Sequence, residues 1–418
     1  MHFFQYREGV LYAEEVPVER IAEEVGTPFY LYSYRTLTRH FDVFEEAIRD
    51  LPHLICYSVK ANSNLSIIRA LSLKGAGADV VSGGELFRAL RAGVEPKKIV
   101  FSGVGKTPGE ILYGLREGIL MFNVESEGEL DRIEEIARGE GLRAPISLRV
   151  NPDIDPLTHP YIATGLKQSK FGMEPEEALR LYFRARGSDY LEVVGISCHI
   201  GSQITELSPF LQAFDRLREL YEVLVSKGFE IRYLDLGGGL GIPYRDETPP
   251  HPSEYGKALI ERARGLDCTF IFEPGRVIVG NAGILVTKVL YRKRNGGREF
   301  VVVDAAMNDL IRPTLYKAYH QVVPVMKRDT PMIKADIVGP VCETGDFFAR
   351  ERDLPDPKPG ELLAIMGAGA YGFSMASNYN SRPRVAEVLV KDDKFWVIRE
   401  RETYEDLVRG ETIPESLR

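Results

Sequence analysis

Several features that define other classes of protein are scarce in this 418-residue chain. Its seven histidines show no HxxxH or HxH spacing, so we predict no metal site. No apolar segment approaches the roughly 20 residues that a membrane-spanning helix needs, and residues 1–16 do not have the pattern of a signal peptide. The cysteines are far apart, form no CxxC pair and favour a reducing, cytoplasmic location without a disulfide framework. They are Cys56, Cys198, Cys268 and Cys342.

An excess of positive charge is also lacking, since the formal net charge is −8. We therefore expect neither nucleic acid nor a membrane as a partner, while a small zwitterionic substrate is left open. The hydrophobic fraction of 44% and the charged fraction of 27% are typical of soluble globular proteins. At this length two domains are expected, although no linker or low-complexity segment separates them.

From Leu54 onward, short β-rich segments alternate with amphipathic segments of helical periodicity. Glycines such as Gly75, Gly93 and Gly118 follow the helical segments, where a helix end often needs one. Regular alternation favours parallel pairing, and eight repeats predict a (β/α)8 TIM barrel rather than the competing open, doubly wound sheet. The eight predicted strands are Leu54–Val59, Ala78–Val81, Lys98–Phe101, Met121–Val124, Ile146–Val150, Val193–His199, Ile231–Leu236 and Thr269–Phe272.

The pattern changes after Ile284, where strand-like segments are linked by Pro and Gly turns and helical segments are few. A hairpin is also predicted near the N-terminus, with strands Phe3–Tyr6 and Val10–Ala13. We therefore predict a barrel domain at 33–284 and a β-rich domain built from residues 1–32 and 285–418. The predicted strands of its C-terminal part are Phe300–Val303, Ile333–Val338, Leu362–Met366, Arg384–Val390 and Lys394–Glu400, the last two joined by a turn at Asp392-Asp393.

Barrel enzymes carry their reactive groups at the C-terminal ends of the strands, and those positions are chemically unusual in this chain. The first predicted strand leads to Lys60, whose amine could form a Schiff base if burial lowers its affinity for a proton. The alternative is a lysine that extends to solvent. The sixth strand ends at His199, which could be a base, a ring stacked on a cofactor or a hydrogen-bonded structural residue.

The last two predicted strands end in motifs that suit a phosphate and a ring nitrogen. Four glycines within Gly237–Gly241 leave backbone N–H groups open to an anion, unless the segment is only a tight turn. Glu273 could face a ring nitrogen and Arg276 could bind a phosphate or carboxylate, the alternative being a structural Glu–Arg pair. Together the lysine, histidine, glycine-rich loop and glutamate predict pyridoxal phosphate as the cofactor.

With these motifs identified, the chain closely resembles the diaminopimelate decarboxylases, which belong to the alanine-racemase-like, fold-type-III class of pyridoxal-phosphate enzymes. The resemblance extends from PFYLY at residues 28–32 to SNYN at residues 377–380. It is carried by YSVKAN around Lys60, by NPDIDPLTHPYIATGLKQSKFG, by HIGSQ, LDLGGGLGIPY and EPGR, and by GPVCETGD around Cys342. Ser58, where many relatives have alanine, is a minor departure.

The resemblance implies roles for the residues of the barrel. Lys60 would hold the cofactor as a Schiff base, with Asp79 near the ring system. His199 would stack on the pyridine face, and Glu273 would bond the ring nitrogen. The residues expected around the phosphate are Ser202, Gly238, Gly239, Pro274, Gly275 and Arg276.

The resemblance also implies a substrate site that a homodimer would share. Cys342 would be the proton donor, and in this family the equivalents of Cys342 and Glu343 reach the site from the second subunit. Without the family motif, an arginine such as Arg312 is usually solvated and Cys342 would be a small buried hydrophobic residue. The residues expected to bind the substrate are Arg276, Arg312 and Tyr316 at the distal carboxylate, Glu343 at the distal ammonium, and Tyr371 at the junction with the cofactor.

The expected reaction is the decarboxylation of meso-2,6-diaminopimelate to L-lysine, and three other functions compete with it. Alanine racemases of this fold pair the ring nitrogen with arginine, whereas Glu273 favours a protonated nitrogen and decarboxylation. Ornithine and arginine decarboxylases typically have aspartate after the motif cysteine, whereas Glu343 with Arg312 suits a distal end that bears both charges. Non-catalytic pyridoxal-phosphate-binding barrels generally lack the second domain that is predicted here.

Overall fold

The structure is a computed structural model, and it describes residues 2–418. Within these residues the chain forms twenty β-strands and twelve α-helices, and none of the helices is long and apolar enough to cross a membrane. The strands are β1 (Phe4–Arg7), β2 (Val10–Ala13), β3 (Val16–Pro17), β4 (Phe29–Ser33), β5 (His53–Ser58), β6 (Gly77–Val80), β7 (Ile99–Phe101), β8 (Met121–Val124), β9 (Ala144–Arg149), β10 (Leu191–Ser197), β11 (Tyr233–Asp235), β12 (Thr269–Phe272), β13 (Gly283–Asn295), β14 (Arg298–Val303), β15 (Val322–Pro324), β16 (Met332–Val338), β17 (Phe347–Pro355), β18 (Leu362–Ile365), β19 (Ala386–Lys391) and β20 (Lys394–Arg399). The helices are α1 (Val18–Val25), α2 (Tyr34–Ile48), α3 (Leu65–Ser72), α4 (Gly83–Arg91), α5 (Pro108–Glu117), α6 (Glu127–Glu140), α7 (Pro175–Arg186), α8 (Ser208–Ser226), α9 (Pro252–Arg262), α10 (Arg276–Val279), α11 (Arg312–Tyr316) and α12 (Tyr404–Leu407).

The chain divides into two compact units, Thr38–Val279 and Met1–Leu37 together with Gly280–Arg418. The predicted boundaries at residues 33 and 284 lie five residues outside the first unit at each end. The difference has a structural cause, because β4 and β13 pair with each other in antiparallel register, with Leu31 opposite Ile284. Both strands therefore belong to the second unit.

In the first unit, β5 to β12 close in chain order into an eight-stranded parallel barrel, in which β12 pairs with β5. The predicted (β/α)8 fold is confirmed, and each of the eight predicted strands is present. The largest difference in length is in β11, Tyr233–Asp235, which is shorter than the predicted Ile231–Leu236. Its C-terminal end is set by Gly237, whose φ of +65° turns the chain out of the strand.

Local sequence signals explain where the barrel helices begin and end. Thr107 and Glu110 form a reciprocal capping box at the start of α5, and Ser126 caps the start of α6. Both helices end at glycines with left-handed backbone, Gly118 at φ +65° and Gly141 at φ +64°. These ends return the chain to the next strand without a long loop.

The interior of the barrel is apolar in one layer and polar in another. The apolar layer is a cluster of fully buried side chains, and the polar side chains lie near the C-terminal strand ends, where barrel enzymes carry their sites. The apolar cluster comprises Cys56, Val100, Met121, Val194 and Ile271. The buried polar residues include Ser58, Asp79, Asn123, Ser197 and Asp235.

The second unit contains a nine-stranded sheet and a separate three-stranded sheet, β1-β2-β3. The larger sheet has the order β17-β16-β14-β13-β4-β19-β20, with β18 pairing with β13 and β15. The predicted N-terminal hairpin and the hairpin at Asp392-Asp393 are both present, the latter with Lys391 opposite Lys394. The long strands β13 and β17 were not predicted, because runs of consecutive charged residues, 292–294 in β13 and 350–353 in β17, lower their apparent hydrophobicity.

Candidate active site

Lys60 lies in a short 3-10 turn, Val59–Ala61, that follows the first barrel strand. The strand ends at Ser58, one residue earlier than predicted. Lys60 Nζ donates a hydrogen bond to Asp79 Oδ2 at 2.7 Å, and Asp79 is fully buried while the lysine side chain is 29% exposed. Lys60 is therefore held by a buried carboxylate at the barrel mouth instead of simply extending to solvent.

Glu273 follows β12 and is also buried, only 5% of its surface being exposed. Burial, with the negative charges of Asp235 and Asp79 adding to it, raises the pKa of Glu273 well above its ordinary value. This environment favours the neutral, proton-bearing form of the Glu273 carboxyl group. It can therefore donate a hydrogen bond, or the proton itself, to a basic nitrogen.

A hydrogen-bonded chain that the sequence analysis missed supports Glu273. Asn123 Nδ2 donates to Asp235 Oδ2 at 2.9 Å and to Ser102 Oγ at 3.0 Å. The Ser102 hydroxyl lies 3.4 Å from Glu273 Oε1 and donates to it. The sequence signal that could have revealed Asn123 is a polar residue inside an otherwise apolar strand, the segment MFNV.

His199 follows β10 and has a neutral ring. Burial, together with the positive charges of Lys60 and Arg149, lowers the pKa of His199 well below its ordinary value. Its Nδ1 accepts a hydrogen bond from the Gly238 N–H at 3.2 Å, so the ring proton is on Nε2. Arg149, a further residue that the sequence analysis missed, donates to His199 O at 3.3 Å and to Glu125 Oε1 at 2.6 Å.

The glycine-rich turn after β11 has room only for glycine. A Cβ on Gly238 would lie 2.0 Å from Glu273 O, and Gly239 combines a φ of +120° with a Cβ position 2.6 Å from Gly201 O. Beside this turn, Arg276 Nη2 donates to Ser202 Oγ at 3.1 Å. The predicted phosphate residues found here are Ser202, Gly238, Gly239 and Arg276. The Gly238 N–H, however, is directed at His199.

Three of the predicted barrel residues, Lys60, His199 and Glu273, line a cavity of about 390 Å³, within the size range of small-molecule sites, whereas the residues predicted for the phosphate do not line it. Its chemistry fits pyridoxal phosphate. An amine, a buried carboxyl group and an imidazole line one space, together with Ser197, whose buried Oγ has no hydrogen-bond partner among the described residues; Asp79 Oδ1, on the carboxylate that holds Lys60, is likewise buried without one. The residues that line the cavity include Lys60, Ser102, Asn123, Arg149, His199 and Glu273.

The second unit contains the other predicted residues. Arg312 is the first residue of α11 and is buried, with 5% exposed, so it is not a solvated arginine. Its guanidinium carbon lies 5.8 Å from the centre of the Tyr316 ring. Tyr371 has a φ of +54°, a left-handed conformation that is uncommon outside glycine.

Cys342 and Glu343 lie in the turn between β16 and β17, and Cys342 is exposed, not a buried hydrophobic residue. The Cys342 N–H donates to Asn380 Oδ1 at 3.0 Å. Glu343 accepts a hydrogen bond from the Tyr379 hydroxyl and, with its negative charge, raises the pKa of Tyr379. The structure therefore ties the Cys342-Glu343 turn to the segment that carries the SNYN motif.

A hydrogen bond also brings α11 next to this turn. Thr314 Oγ1 donates to Gly345 O at 2.5 Å. A Cβ on Gly345 would lie 3.1 Å from the Thr314 side chain and 3.2 Å from Glu343 Oε1. The helix that carries Arg312 and the turn that carries Glu343 are thus neighbours within the second unit.

Comparisons with known proteins agree with this arrangement. The family model for the pyridoxal-binding domain of pyridoxal-dependent decarboxylases matches residues 34–280. A diaminopimelate decarboxylase of Pseudomonas aeruginosa is 52% identical over 413 residues, which cover 99% of each chain. A crystal structure of diaminopimelate decarboxylase from Helicobacter pylori, complexed with L-lysine, is 46% identical and superposes with a TM-score of 0.91 over 94% of this chain and 98% of that one. A structure of diaminopimelate decarboxylase from M. jannaschii, also with L-lysine, is 38% identical with a TM-score of 0.94 over 100% of both chains. This chain therefore belongs to the diaminopimelate decarboxylases, a family of pyridoxal-dependent decarboxylases.

Proposed function

We propose that the protein converts meso-2,6-diaminopimelate to L-lysine and carbon dioxide with pyridoxal phosphate at the barrel mouth. The observation that carries the proposal is the buried Glu273 near the Lys60–Asp79 ion pair. An acidic partner at this position favours a protonated ring nitrogen, which in turn favours the loss of a carboxylate over simple proton exchange. L-lysine, the expected product, is the ligand in the Helicobacter pylori structure.

The barrel residues would hold and tune the cofactor. When bound, pyridoxal phosphate supplies a conjugated ring that accepts the electron pair released as the α-carboxylate leaves as carbon dioxide. Lys60 would provide the amine that holds the cofactor in place. Asp79 holds the Lys60 ammonium, Glu273 would share a proton with the ring nitrogen, and His199 would offer a flat surface for stacking.

The residues proposed for the phosphate combine small size with hydrogen-bond donors. Arg276 supplies charge, and its contact with Ser202 brings a hydroxyl to the same place. Glycine is needed at the turn because a side chain on Gly238 would collide with Glu273 O. The proposed set is Ser202, Gly238, Gly239, Pro274, Gly275 and Arg276.

The second unit would recognise the distal end of the substrate and deliver a proton. Arg312 suits the distal carboxylate because it is a buried, fixed cation, and Glu343 suits the distal ammonium. Cys342 Sγ–H, exposed to an incoming ligand, would protonate the carbon that has lost its carboxylate. Arg276, Tyr316 and Tyr371 complete the proposed substrate set.

We also propose a cytoplasmic homodimer in which each active site takes Lys60 from one subunit and the Cys342-Glu343 pair from the other. Placement supports it, since Lys60 belongs to the barrel unit and Cys342 to the β-rich unit. A two-fold axis makes any such exchange reciprocal and produces two equivalent sites.

The function can be tested by measuring carbon dioxide release from diaminopimelate, ornithine and arginine with added cofactor. We expect release from diaminopimelate with one equivalent of L-lysine, and little from the two amino acids that lack a distal carboxylate. Faster release from ornithine or arginine would contradict the assignment of the substrate. No release from any of the three would contradict the decarboxylase assignment.

A further inference from the structure

His320 is fully buried and is fixed through both its backbone and its ring. It precedes β15, whose pairing with β18 is extended by a hydrogen bond from the Met366 N–H to Gln321 O at 2.8 Å. The residue before Gln321 is His320, and its Nδ1 lies 2.9 Å from Met366 O. The backbone carbonyl of His320 is held as well, because Arg352 Nη1 donates to His320 O at 2.9 Å. The imidazole therefore has a fixed place beside the sheet.

The other ring nitrogen, Nε2, lies 3.4 Å from Arg312 Nε. A carbonyl oxygen can only accept, so Nδ1 must carry the hydrogen that points at Met366. A guanidinium N–H can only donate, so Nε2 must offer its lone pair to Arg312. The two neighbours thus select a single neutral tautomer. A doubly protonated ring would turn an N–H towards Arg312 and lose this contact.

This contact constrains how Arg312 can meet an anion. An arginine recognises a carboxylate best through two parallel N–H bonds, which requires the plane of the guanidinium to be fixed. The bond to His320 engages Nε and limits rotation about the end of the side chain, while Tyr316 lies on one side of the group. With Nε held in this way, the plane in which the guanidinium would meet a carboxylate is fixed.

We propose that His320 is a positioning residue for recognition of the distal carboxylate of the substrate, acting by holding the Arg312 guanidinium in one orientation. The proposal rests on the role given to Arg312 in the proposed function. His320 acts through Arg312 and takes no part in the chemistry at the cofactor. Its loss should therefore weaken the binding of ligands that have the distal carboxylate and should spare ligands that lack it.

Three substitutions separate the two hydrogen bonds of the ring. In His320→Gln the terminal amide oxygen reaches the place of Nε2 and can accept from Arg312. In His320→Asn the amide matches Nδ1 and can donate to Met366 O, but it does not reach Arg312. His320→Ala removes both bonds. Asn and Gln are similar in polarity, but Asn retains the bond to Met366 and Gln retains the bond to Arg312. Each variant is therefore a matched control for the other.

The test uses the holoenzyme and two ligands, L-lysine and 1,5-diaminopentane, which differ by one carboxylate. Binding is measured from the change in cofactor absorbance. We expect His320→Ala and His320→Asn to weaken L-lysine binding about tenfold, the size of one lost hydrogen bond to a charged group, with diaminopentane affected by less than about twofold. His320→Gln should stay within about threefold of the wild type for both ligands. The KM for diaminopimelate should rise in parallel, with a smaller fall in kcat.

Equal losses for the two ligands would overturn the proposal, because they would show that His320 supports the fold alone. Rescue by Asn and not by Gln would overturn it as well, because the contact with Met366 would then be the one that matters. If His320→Ala does not fold, as judged by thermal unfolding, the comparison of Gln with Asn still decides. Failure of the proposed function is recognised separately, as absence of carbon dioxide release from diaminopimelate by the wild type.

Discussion

The barrel mouth and the β-rich unit hold their candidate residues in different ways. At the barrel mouth, Asp79, Asp235 and Glu273 are buried almost completely, and hydrogen bonds link them to one another through neutral side chains such as Asn123. In the second unit Cys342 is exposed. Burial suits groups that hold protons and charge for a cofactor, because a low dielectric strengthens their effect. Exposure suits the role proposed for Cys342, which would have to meet each new substrate.

The backbone shows the same contrast. In the turn after β11 the unusual conformations belong to Gly237 and Gly239, which adopt them without strain, although Gln203, elsewhere in the barrel unit, also has a positive φ of +57°. In the second unit they belong to Tyr371, Asn380 and Ser381, all with φ between +54° and +56°. Conformations of this kind cost energy in residues with a side chain and persist where the surroundings enforce them. The β-rich unit thus places its side chains at the cost of local strain.

The largest expected effect comes from the barrel side of this comparison, at Lys60. Lys60→Ala should reduce kcat by at least about a thousandfold, because no amine remains to attach the cofactor. Lys60→Arg is the matched control, since it keeps a cation for Asp79 but cannot form the attachment. Borohydride reduction of the wild-type holoenzyme followed by peptide mapping should place the cofactor on Lys60. A label on another lysine would contradict the assignment.

On the side of the β-rich unit, Arg312→Ala should cost about 2–5 kcal/mol of binding to the distal carboxylate, because a buried charge pair is lost. The measurement compares diaminopimelate with a probe that lacks this carboxylate, for which we expect a small loss. Arg409→Ala is the control for loss of a positive charge, because 80% of the Arg409 side chain is exposed. Similar losses for both ligands would make Arg312 a structural residue.

Mixing two inactive variants tests whether the two regions meet across a dimer. Lys60→Ala and Cys342→Ala proteins should each be nearly inactive. In a mixed dimer one site has both defects and the other has neither. Random exchange makes about half of the dimers mixed, so about a quarter of all sites should regain wild-type chemistry. If a tagged pull-down demonstrates subunit exchange and activity does not recover, the sites are not shared.

The sequence predicts the barrel side of this comparison better than the other side, and the reason is physical. Strand ends, helix caps and glycines such as Gly118 are local signals, and residues just beyond strand ends, such as Lys60 and Glu273, can be found from them. Asn123 and Arg149 were missed because they lie within strands, and their partners come from distant segments that only the closed barrel brings together. His320 carries no local signal at all.

The two units also differ, with a smaller expected effect, in the pH range over which a buried carboxyl group changes the stability of the protein. Burial raises the pKa of Asp309, in the β-rich unit, to about 7, and that of Asp235, in the barrel, to about 6. A carboxyl group with a raised pKa binds more protons in the folded than in the unfolded state. Its stabilising contribution is therefore present at low pH and is lost as pH rises through the folded pKa. Between pH 5 and 7 the wild type should lose about 2 kcal/mol more unfolding free energy than Asp309→Asn.

Denaturant unfolding of the cofactor-free protein at several pH values measures this difference. Asp393→Asn, at an exposed aspartate in the hairpin turn, is the control and should follow the wild-type profile. Parallel profiles for the wild type and Asp309→Asn would show that Asp309 does not retain a proton in the folded protein.

The smallest expected effect concerns the strained backbone beside Cys342. Asn380 has φ +56° and ψ +28°, and its Oδ1 accepts from the Cys342 N–H at 3.0 Å. Asn380→Gly removes this acceptor and keeps the left-handed backbone available, whereas Asn380→Ala removes the acceptor and adds strain. We expect kcat to fall severalfold, and equally, in both variants, because Cys342 is less well placed. The unfolding free energy should be about 0.5–1 kcal/mol lower in the Ala variant than in the Gly variant. Ser381→Gly, which relieves strain at φ +54° without touching the bond, should leave kcat unchanged. A wild-type kcat in Asn380→Gly would show that this hydrogen bond does not position the proton donor, and the backbone contrast between the glycine turn after β11 and the second unit would then not extend to catalysis.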